Sequence, residues 1–337
     1  IYFFNPIRVF INGFVDLIRN WISTPMGLDD YPVIGWAGLI AILAFVAYAT
    51  SRVRIAILVI SALFLCGALG MWVDTMDTLA MTIAAVLLSL LVGIPFGIWA
   101  GLSDRVLKLV TPILDLAQIL PTLVYMAPLA LFFMIGEATA TIATMVYSIP
   151  ISIRITSHAI RTLNFSPVEA SISMGATDKQ TLRKVQLPMA KQMIVLGINQ
   201  TVMAALSFVV IAALIAAPGL GKPVVEALTI RNTGRGLVAG IAVVALAIML
   251  DRATSAAAVK QKSFIPPTPE QIKARRQKVS LAGAVAFLIA VASHYIEVLR
   301  AFPENINIAD SVEKATNSFV NFLVNDVSFL TVGFKDF

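Results

Sequence analysis

Eight apolar runs constrain what this chain can fold into. They lie at 33–50, 54–73, 78–102, 109–135, 138–156, 194–217, 236–251 and 279–299. Most reach the ~20 residues that a helix needs to cross a bilayer, and the seventh is short and must borrow flanking residues. With 58% hydrophobic and 13% charged residues and a mean hydropathy of +0.88, the 337-residue chain has too little polar surface for a soluble domain. The sequence therefore predicts an all-α, polytopic membrane protein with about eight transmembrane helices.

Loop charges orient the runs. Arg52 and Arg54 sit in the first loop, Arg105 and Lys108 in the third, and a cationic island in the fifth. Arg252, Lys260, Lys262, Lys273, Arg275, Arg276 and Lys278 fill the seventh, whereas Asp74, Asp77 and Glu137 occupy alternate loops. The positive-inside rule then puts odd-numbered loops in the cytoplasm and both chain ends outside, in a plasma (inner) membrane. The net charge of +6 is accounted for by these loops and implies no nucleic-acid partner. Attraction to anionic lipid headgroups explains the basic stretch 255–278.

Nothing in the chain reads as a catalytic or metal centre. Cys66 is the single cysteine, and His158 and His294 have no companions at ligand spacing. No phosphate-binding G-x-x-x-x-G-K-[ST] occurs; Gly219-Leu220-Gly221-Lys222-Pro223 lacks the spacing. The spans are almost free of ionisable groups, and no paired intramembrane carboxylates suggest a proton relay, against what an ion-coupled carrier would show. The chain is thus no enzyme, and any ATP and Mg belong to a partner.

The polar island at 166–188, SPVEASISMGATDKQTLRKVQLP, stands out from these runs. Ser166 as N-cap, Pro167 at the first helical position and Glu169 reaching back to the cap predict one short helix. Gly175 is expected to end it in the left-handed conformation. Thr177 and Gln180 have capping-box spacing and open a second helix, expected to end before Leu187-Pro188. The island is therefore a compact hairpin carrying Lys179, Arg183 and Lys184, with Lys191 just beyond, suited to docking a cytoplasmic partner.

Glu169-Ala170-Ser171, Gly175-Ala176 and Val185-Gln186-Leu187-Pro188 together resemble the EAA loop of permease subunits of binding-protein-dependent ABC importers. Ser171 stands in for the third motif residue and Val185 for an Ile. From about Asp74 to Arg252 the chain is similar to the glycine betaine/proline betaine class, notably in GIPFGIWAGLSD, ILPTLVYMAPL, INQTVMAALSFVVIAALIAAPGLG and ALAIMLDR. The resemblance implies a five-helix type I permease core at 74–254, built from the third to seventh spans. Two accessory spans precede it at 33–73, and the linker 255–278 leads to a further span at 279–299.

It also implies partners: cytoplasmic ATP-binding cassette subunits docked at the EAA loop, an external solute-binding protein, and a second permease unit. The coupling residues would be Glu169, Ala170, Ser171, Gly175, Ala176, Leu187 and Pro188. The solute would be glycine betaine, proline betaine, choline, carnitine or trimethylamine N-oxide. An ion-coupled secondary transporter, or a permease for another small solute, is the alternative. Outside, 218–235 is expected to hold a short helix from Pro223 to Ile230. There Lys222, Glu226, Arg231 and Arg235 are candidates for docking the binding protein.

Small residues at Gly93, Gly97 and Gly101, with Pro95, predict close helix contact or bending in the third span. Pro121 and Pro128 are expected to break or kink the fourth span, and Pro150 the fifth. Two outer segments flank the spans, 1–32 and 300–337. In 5–23, Val9, Phe10, Phe14, Leu17, Ile18 and Trp21 share one helical face, fit to lie on the membrane or against the protein's own core. Asn317-Ser318-Phe319-Val320-Asn321-Phe322-Leu323 resembles Asn12-Gly13-Phe14-Val15-Asp16-Leu17-Ile18. This similarity leaves two expectations for the second unit: a fused copy beyond Phe337, or a homodimer.

Overall fold

The computed structural model describes residues 4–23, 32–258 and 269–325, and the secondary structure of these residues is helical throughout. An amphipathic helix, α1 (Phe4–Ile22), precedes α2 (Trp36–Thr50) and α3 (Val53–Ala68). The third apolar run becomes α4 (Trp72–Leu102), a helix of 31 residues. The fourth is broken into α5 (Asp104–Ile119) and α6 (Thr122–Phe133), bent by 98°. The fifth is α7 (Glu137–Arg161). After the polar hairpin come α10 (Leu187–Ile211), α11 (Gly221–Thr229), α12 (Thr233–Ala258), α13 (Pro269–Tyr295), α14 (Glu297–Arg300) and α15 (Ala309–Asn325).

Each of the eight apolar runs is helical. Among the described residues five helices are long and apolar enough to cross a membrane, or six with the α5–α6 pair counted as one span. Helices α2 and α3, of 15 and 16 residues, are shorter. The seventh run gains its missing length by extending to Thr233 at one end and Ala258 at the other. The break in the fourth run falls where the sequence placed it. Leu120 takes an extended conformation (φ −63°, ψ 128°) before Pro121, because the proline ring disfavours helical backbone in the preceding residue. Pro95, Pro112, Pro128 and Pro150 instead lie inside helices.

The α4–α7 pair is the spine of the bundle. Ser89 and Ser148 share a hydrogen bond of 2.7 Å, at a sequence offset of 59. The same offset then matches Gly93 with Ser152, Gly97 with Thr156 and Gly101 with Ile160. A Cβ built on these glycines would lie 2.5 Å from Ser152 Oγ, 2.6 Å from Thr156 Cβ and 3.0 Å from Ile160 Cβ. A constant offset means parallel helices in register, and the four-residue spacing of small residues lets the backbones approach. The pair is tied at both ends. At the hairpin end, Arg161 hydrogen-bonds the Ala100 carbonyl (3.1 and 3.2 Å) and pairs with Asp104 (2.6 Å).

At the opposite end, Arg19 of α1 clamps α4 to α7. Its guanidinium makes a bidentate contact with Asp77 (2.9 and 3.2 Å) and also binds Glu137, while Ser23 donates to Asp77. Burial works against the Arg19 charge, but the two carboxylates outweigh it and its pKa is raised above the ordinary arginine value. Helix α1 packs on the bundle mainly through residues outside the face read from the sequence: Ile11, Val15 and Ile22 are buried. Its other face leaves Val9, Phe10, Leu17 and Trp21 exposed.

Two apolar cores flank the spine. One surrounds fully buried Phe208 of α10, against which Tyr125 and Tyr147 place their rings at 6.1 and 5.5 Å. The other joins α2, α3 and α12 through residues such as Leu39, Leu63 and Leu246. Phe302, in the turn after α14, closes that second core. Its ring contacts Trp36, Phe64 and Trp72 at 5.0, 5.6 and 5.7 Å.

The later boundaries differ from the sequence expectation. Helix α13 starts at Pro269, so the basic residues Lys273, Arg275, Arg276 and Lys278 extend a helix rather than a linker. Residues 259–268 of that linker, with Lys260 and Lys262, lie outside the described residues, as do 326–337. The two similar amphipathic segments are both helical but pack differently. Segment 12–18 sits on the bundle within α1, whereas 317–323 lies in α15. There Asn317 accepts from the Gly234 amide (2.8 Å) and donates to Asn232 (3.0 Å) at the start of α12.

Candidate functional site

The hairpin consists of α8 (Phe165–Ser173), α9 (Asp178–Thr181) and a π-helical turn, Leu182–Gln186, that runs directly into α10. Its first helix begins two residues earlier than the sequence suggested. Asn164, not Ser166, is the N-cap, its Oδ1 accepting from the Ser166 amide at 3.1 Å. Asparagine at this position is as good a cap as serine and comes first in the chain. Glu169 consequently lies too far into α8 to reach the cap, and the expected capping contact is not made. It stands exposed on the hairpin surface.

The turn forms as expected. Gly175 has φ +79°, the Gly175 amide bonds Ile172 O (2.9 Å) and the Ala176 amide bonds Ser171 O (3.1 Å). These are the two bonds of a Schellman motif. Thr177 and Gln180 complete a reciprocal capping box, with bonds of 3.4 and 2.9 Å. Ser171 and Thr181 join the two helices by a hydroxyl contact of 3.1 Å, over buried Val168.

The second helix does not stop before Leu187-Pro188. Proline has no amide proton and is tolerated in the first turn of a helix, and Pro188 occupies the first turn of α10. The π-helical turn absorbs the mismatch, and Asp178–Ile215 is one 38-residue helical path.

The hairpin is joined to α7 through only Thr162–Asn164, and to α10 with no break at all. The hairpin is thus tied by the chain to two helices of the core, one of them half of the α4–α7 pair. Of the sequence-predicted coupling residues, Glu169, Ala170, Gly175 and Pro188 are exposed, while Ser171, Ala176 and Leu187 are half-buried supports. Phe165, Ile172 and Met174 add an apolar surface, 66%, 53% and 88% exposed, that the motif did not single out.

At the other end of the bundle, α11 spans Gly221–Thr229 rather than 223–230. It does not present four free charges. Glu226 pairs with Arg235 at 2.9 Å, leaving Lys222 and Arg231 exposed. Arg231 is held at φ +55° in the turn before α12. Helix α15 covers this turn, with Asn232 donating to Glu313 at 2.6 Å.

A further charged pair escaped the sequence reading. Asp115 of α5 and Arg154 of α7 are two of the few ionisable residues inside the apolar runs, and they form an ion pair. The available signal was two opposite charges in consecutive runs; without the packing of α5 on α7 their proximity was not legible.

The family model for the "Binding-protein-dependent transport system inner membrane component" matches residues 93–258, which include the last third of α4, all of α7, the hairpin and α10–α12. The chain belongs to that family and is a membrane permease subunit of the ABC importer type. Within it, the chain is similar to the "Glycine betaine transport system permease protein OpuAB" of Bacillus subtilis. They are 41% identical over 266 residues, 77% of this chain and 93% of that protein. It is 36% identical to the "Glycine betaine/proline betaine transport system permease protein ProW" of Escherichia coli, over 74% of this chain and 67% of ProW. It is 32% identical to the "Trimethylamine N-oxide transport system permease protein TmoV" of Ruegeria pomeroyi, over 84% of this chain but 44% of TmoV. Among solved structures, the inward-facing MetNI methionine ABC transporter superposes with a TM-score of 0.49 at 21% identity, over 62% of this chain and 94% of that one.

Proposed function

We propose that this chain forms the membrane pathway through which a betaine-like compatible solute is imported, driven by ATP hydrolysed on separate subunits. The single observation that carries the reading is the hairpin 165–188. It is a capped, cation-bearing element with an exposed surface, continuous with two core helices. The names of the relatives supply the solute class: glycine betaine, proline betaine and trimethylamine N-oxide.

In this reading the hairpin faces the cytoplasm and receives the ATPase, whose motion enters through α7 and α10. A solute-binding protein docks on the outer surface formed by α11 and the turn before α12, where Lys222 and Arg231 are exposed and the Glu226–Arg235 pair fixes the helix. A second permease unit, as a homodimer or a fused half, completes the pathway. ATP and Mg act on the partner subunit.

Co-purification with the ATPase, followed by hydrolysis measurements with and without solute-loaded binding protein, tests this. The expected result is stimulated hydrolysis that falls when Glu169→Ala weakens docking. Because Glu169 takes no part in the cap, that substitution leaves the hairpin fold intact. Hydrolysis indifferent both to binding protein and to Glu169→Ala would sink the proposal.

A further inference from the structure

Arg154, paired with Asp115, lines a wide-open cavity of about 510 Å³ along α5, α7 and α10. Arg154, Thr111, Ser157 and His158 give it a polar side, and Met193 and Leu196 an apolar one. Counting the rise along α7, Arg154 sits about 10 Å inside the helix end that leads to the hairpin. In the proposed orientation, the cavity is in the cytoplasmic half of the membrane.

Three observations set this cavity apart from a structural ion pair. First, charges at this depth almost always face a bundle interior or a water-filled space. Second, Asp115 lies little more than one turn before the 98° break between α5 and α6. A broken helix leaves backbone groups without intrahelical partners, which is tolerated at membrane depth only where the break faces protein or water. Third, Arg154 Nε is buried with no hydrogen-bond partner, although its Nη2 binds Asp115. Half of the guanidinium fork is thus unused. The pair itself is only half-buried, at 41% and 45% side-chain exposure, so parting it is inexpensive.

An ion pair that parts easily is complementary to one kind of ligand. A zwitterion offers a carboxylate to the guanidinium fork and a cationic head to the carboxylate. Exchange of the internal pair for the two ends of the solute keeps every charge compensated, which a cation or anion alone does not. We propose that Asp115, Arg154 and the adjoining cavity form the inner solute subsite of the pathway, specific for zwitterions carrying a carboxylate and a fixed cationic head. The inference rests on the reading of this chain as a solute pathway. Arg154 Nε and Nη2 take the carboxylate, Asp115 takes the cationic head by charge attraction alone, and Met193 and Leu196 bound its apolar surface.

The test uses the permease with its ATPase and binding protein in proteoliposomes, measuring radiolabelled glycine betaine imported per ATP hydrolysed. Arg154→Gln and Asp115→Asn are each expected to lower this ratio at least tenfold. The exchange Asp115→Arg with Arg154→Asp rebuilds an ion pair but reverses its polarity, and the ratio is expected to stay low. A structural role predicts otherwise: uptake and hydrolysis fall together, leaving the ratio unchanged, and the exchange restores both. Either outcome, or wild-type uptake by Arg154→Gln, would overturn the subsite. Absence of import by the wild-type complex would overturn the functional reading along with it, whereas import that ignores the pair overturns this inference alone.

Discussion

Substitution of Gly175 gives a graded test of the hairpin. No atom lies within 4 Å of a Cβ built there, so packing contributes nothing and the penalty is one of backbone alone. At φ +79°, an ordinary L-residue costs about 1–2 kcal/mol, and a β-branched one sits at the upper end or beyond. The chain can escape by turning φ negative, but it then loses the Gly175–Ile172 and Ala176–Ser171 bonds, each worth about 1 kcal/mol net. Either route costs Gly175→Val about 2 kcal/mol, a fall of up to about 30-fold in the ratio of native to distorted hairpin. Asn tolerates the left-handed region and suffers least. Retention of the ATPase on the purified permease, with solute uptake alongside, should rank Gly, Asn, Ala, Val in descending order. Bundle stability should not change, because the hairpin stands outside both cores. A Val variant that binds the ATPase normally, or an Asn variant as damaged as Val, would refute the reasoning.

The α4–α7 seam predicts that Gly97→Leu destabilises the detergent-solubilised protein by about 1–3 kcal/mol through overpacking against Thr156 and Ile153. Gly240→Ala, with open space around it, should leave the melting temperature unchanged or raised; equal melting of the two variants would contradict the seam. Arg19→Met strands two carboxylates, Asp77 and Glu137, at 7% and 18% side-chain exposure. It should cost about 3 kcal/mol, most of it recovered by adding Asp77→Asn and Glu137→Gln, with thermal melting as the measurement. In a Cys66→Ala background, Leu228→Cys should react with an impermeant thiol reagent in intact cells and Met174→Cys only after permeabilisation. Both positions are well exposed, at 74% and 88%, so labelling of Met174→Cys from outside would reverse the orientation.

The parts legible in the sequence were those set by local chemistry. Apolar run length gives each helix, Pro121 gives the break in the fourth, and Gly175 with Thr177 and Gln180 gives the hairpin turn. The four-residue spacing of Gly93, Gly97 and Gly101 announced a close contact but not its partner. That partner required the matching series Ser148, Ser152, Thr156 and Ile160, visible only once two helices are set side by side. Asn164 was missed because Ser166-Pro167 carries an equally good start signal two residues later, and only the backbone decides between them. The ends of the hairpin were misjudged because Pro188 reads as a stop, whereas the π-helical turn lets the helix continue through it. The clamp of Arg19 on Asp77 and Glu137, and the pairing of Asp115 with Arg154, depend on contacts between distant segments. Single residues there carry no local mark of their partner.

The central claim, that this chain is the pathway for a betaine-like solute powered from the hairpin side, meets its most direct test in reconstituted uptake. Permease, ATPase and solute-loaded binding protein would be assembled in proteoliposomes, with ATP supplied only on the hairpin side and radiolabelled glycine betaine only on the other. The account predicts accumulation against a concentration gradient that requires ATP and stops with Gly175→Val. Accumulation driven by an ion gradient without ATP, or none with all components present, would contradict it.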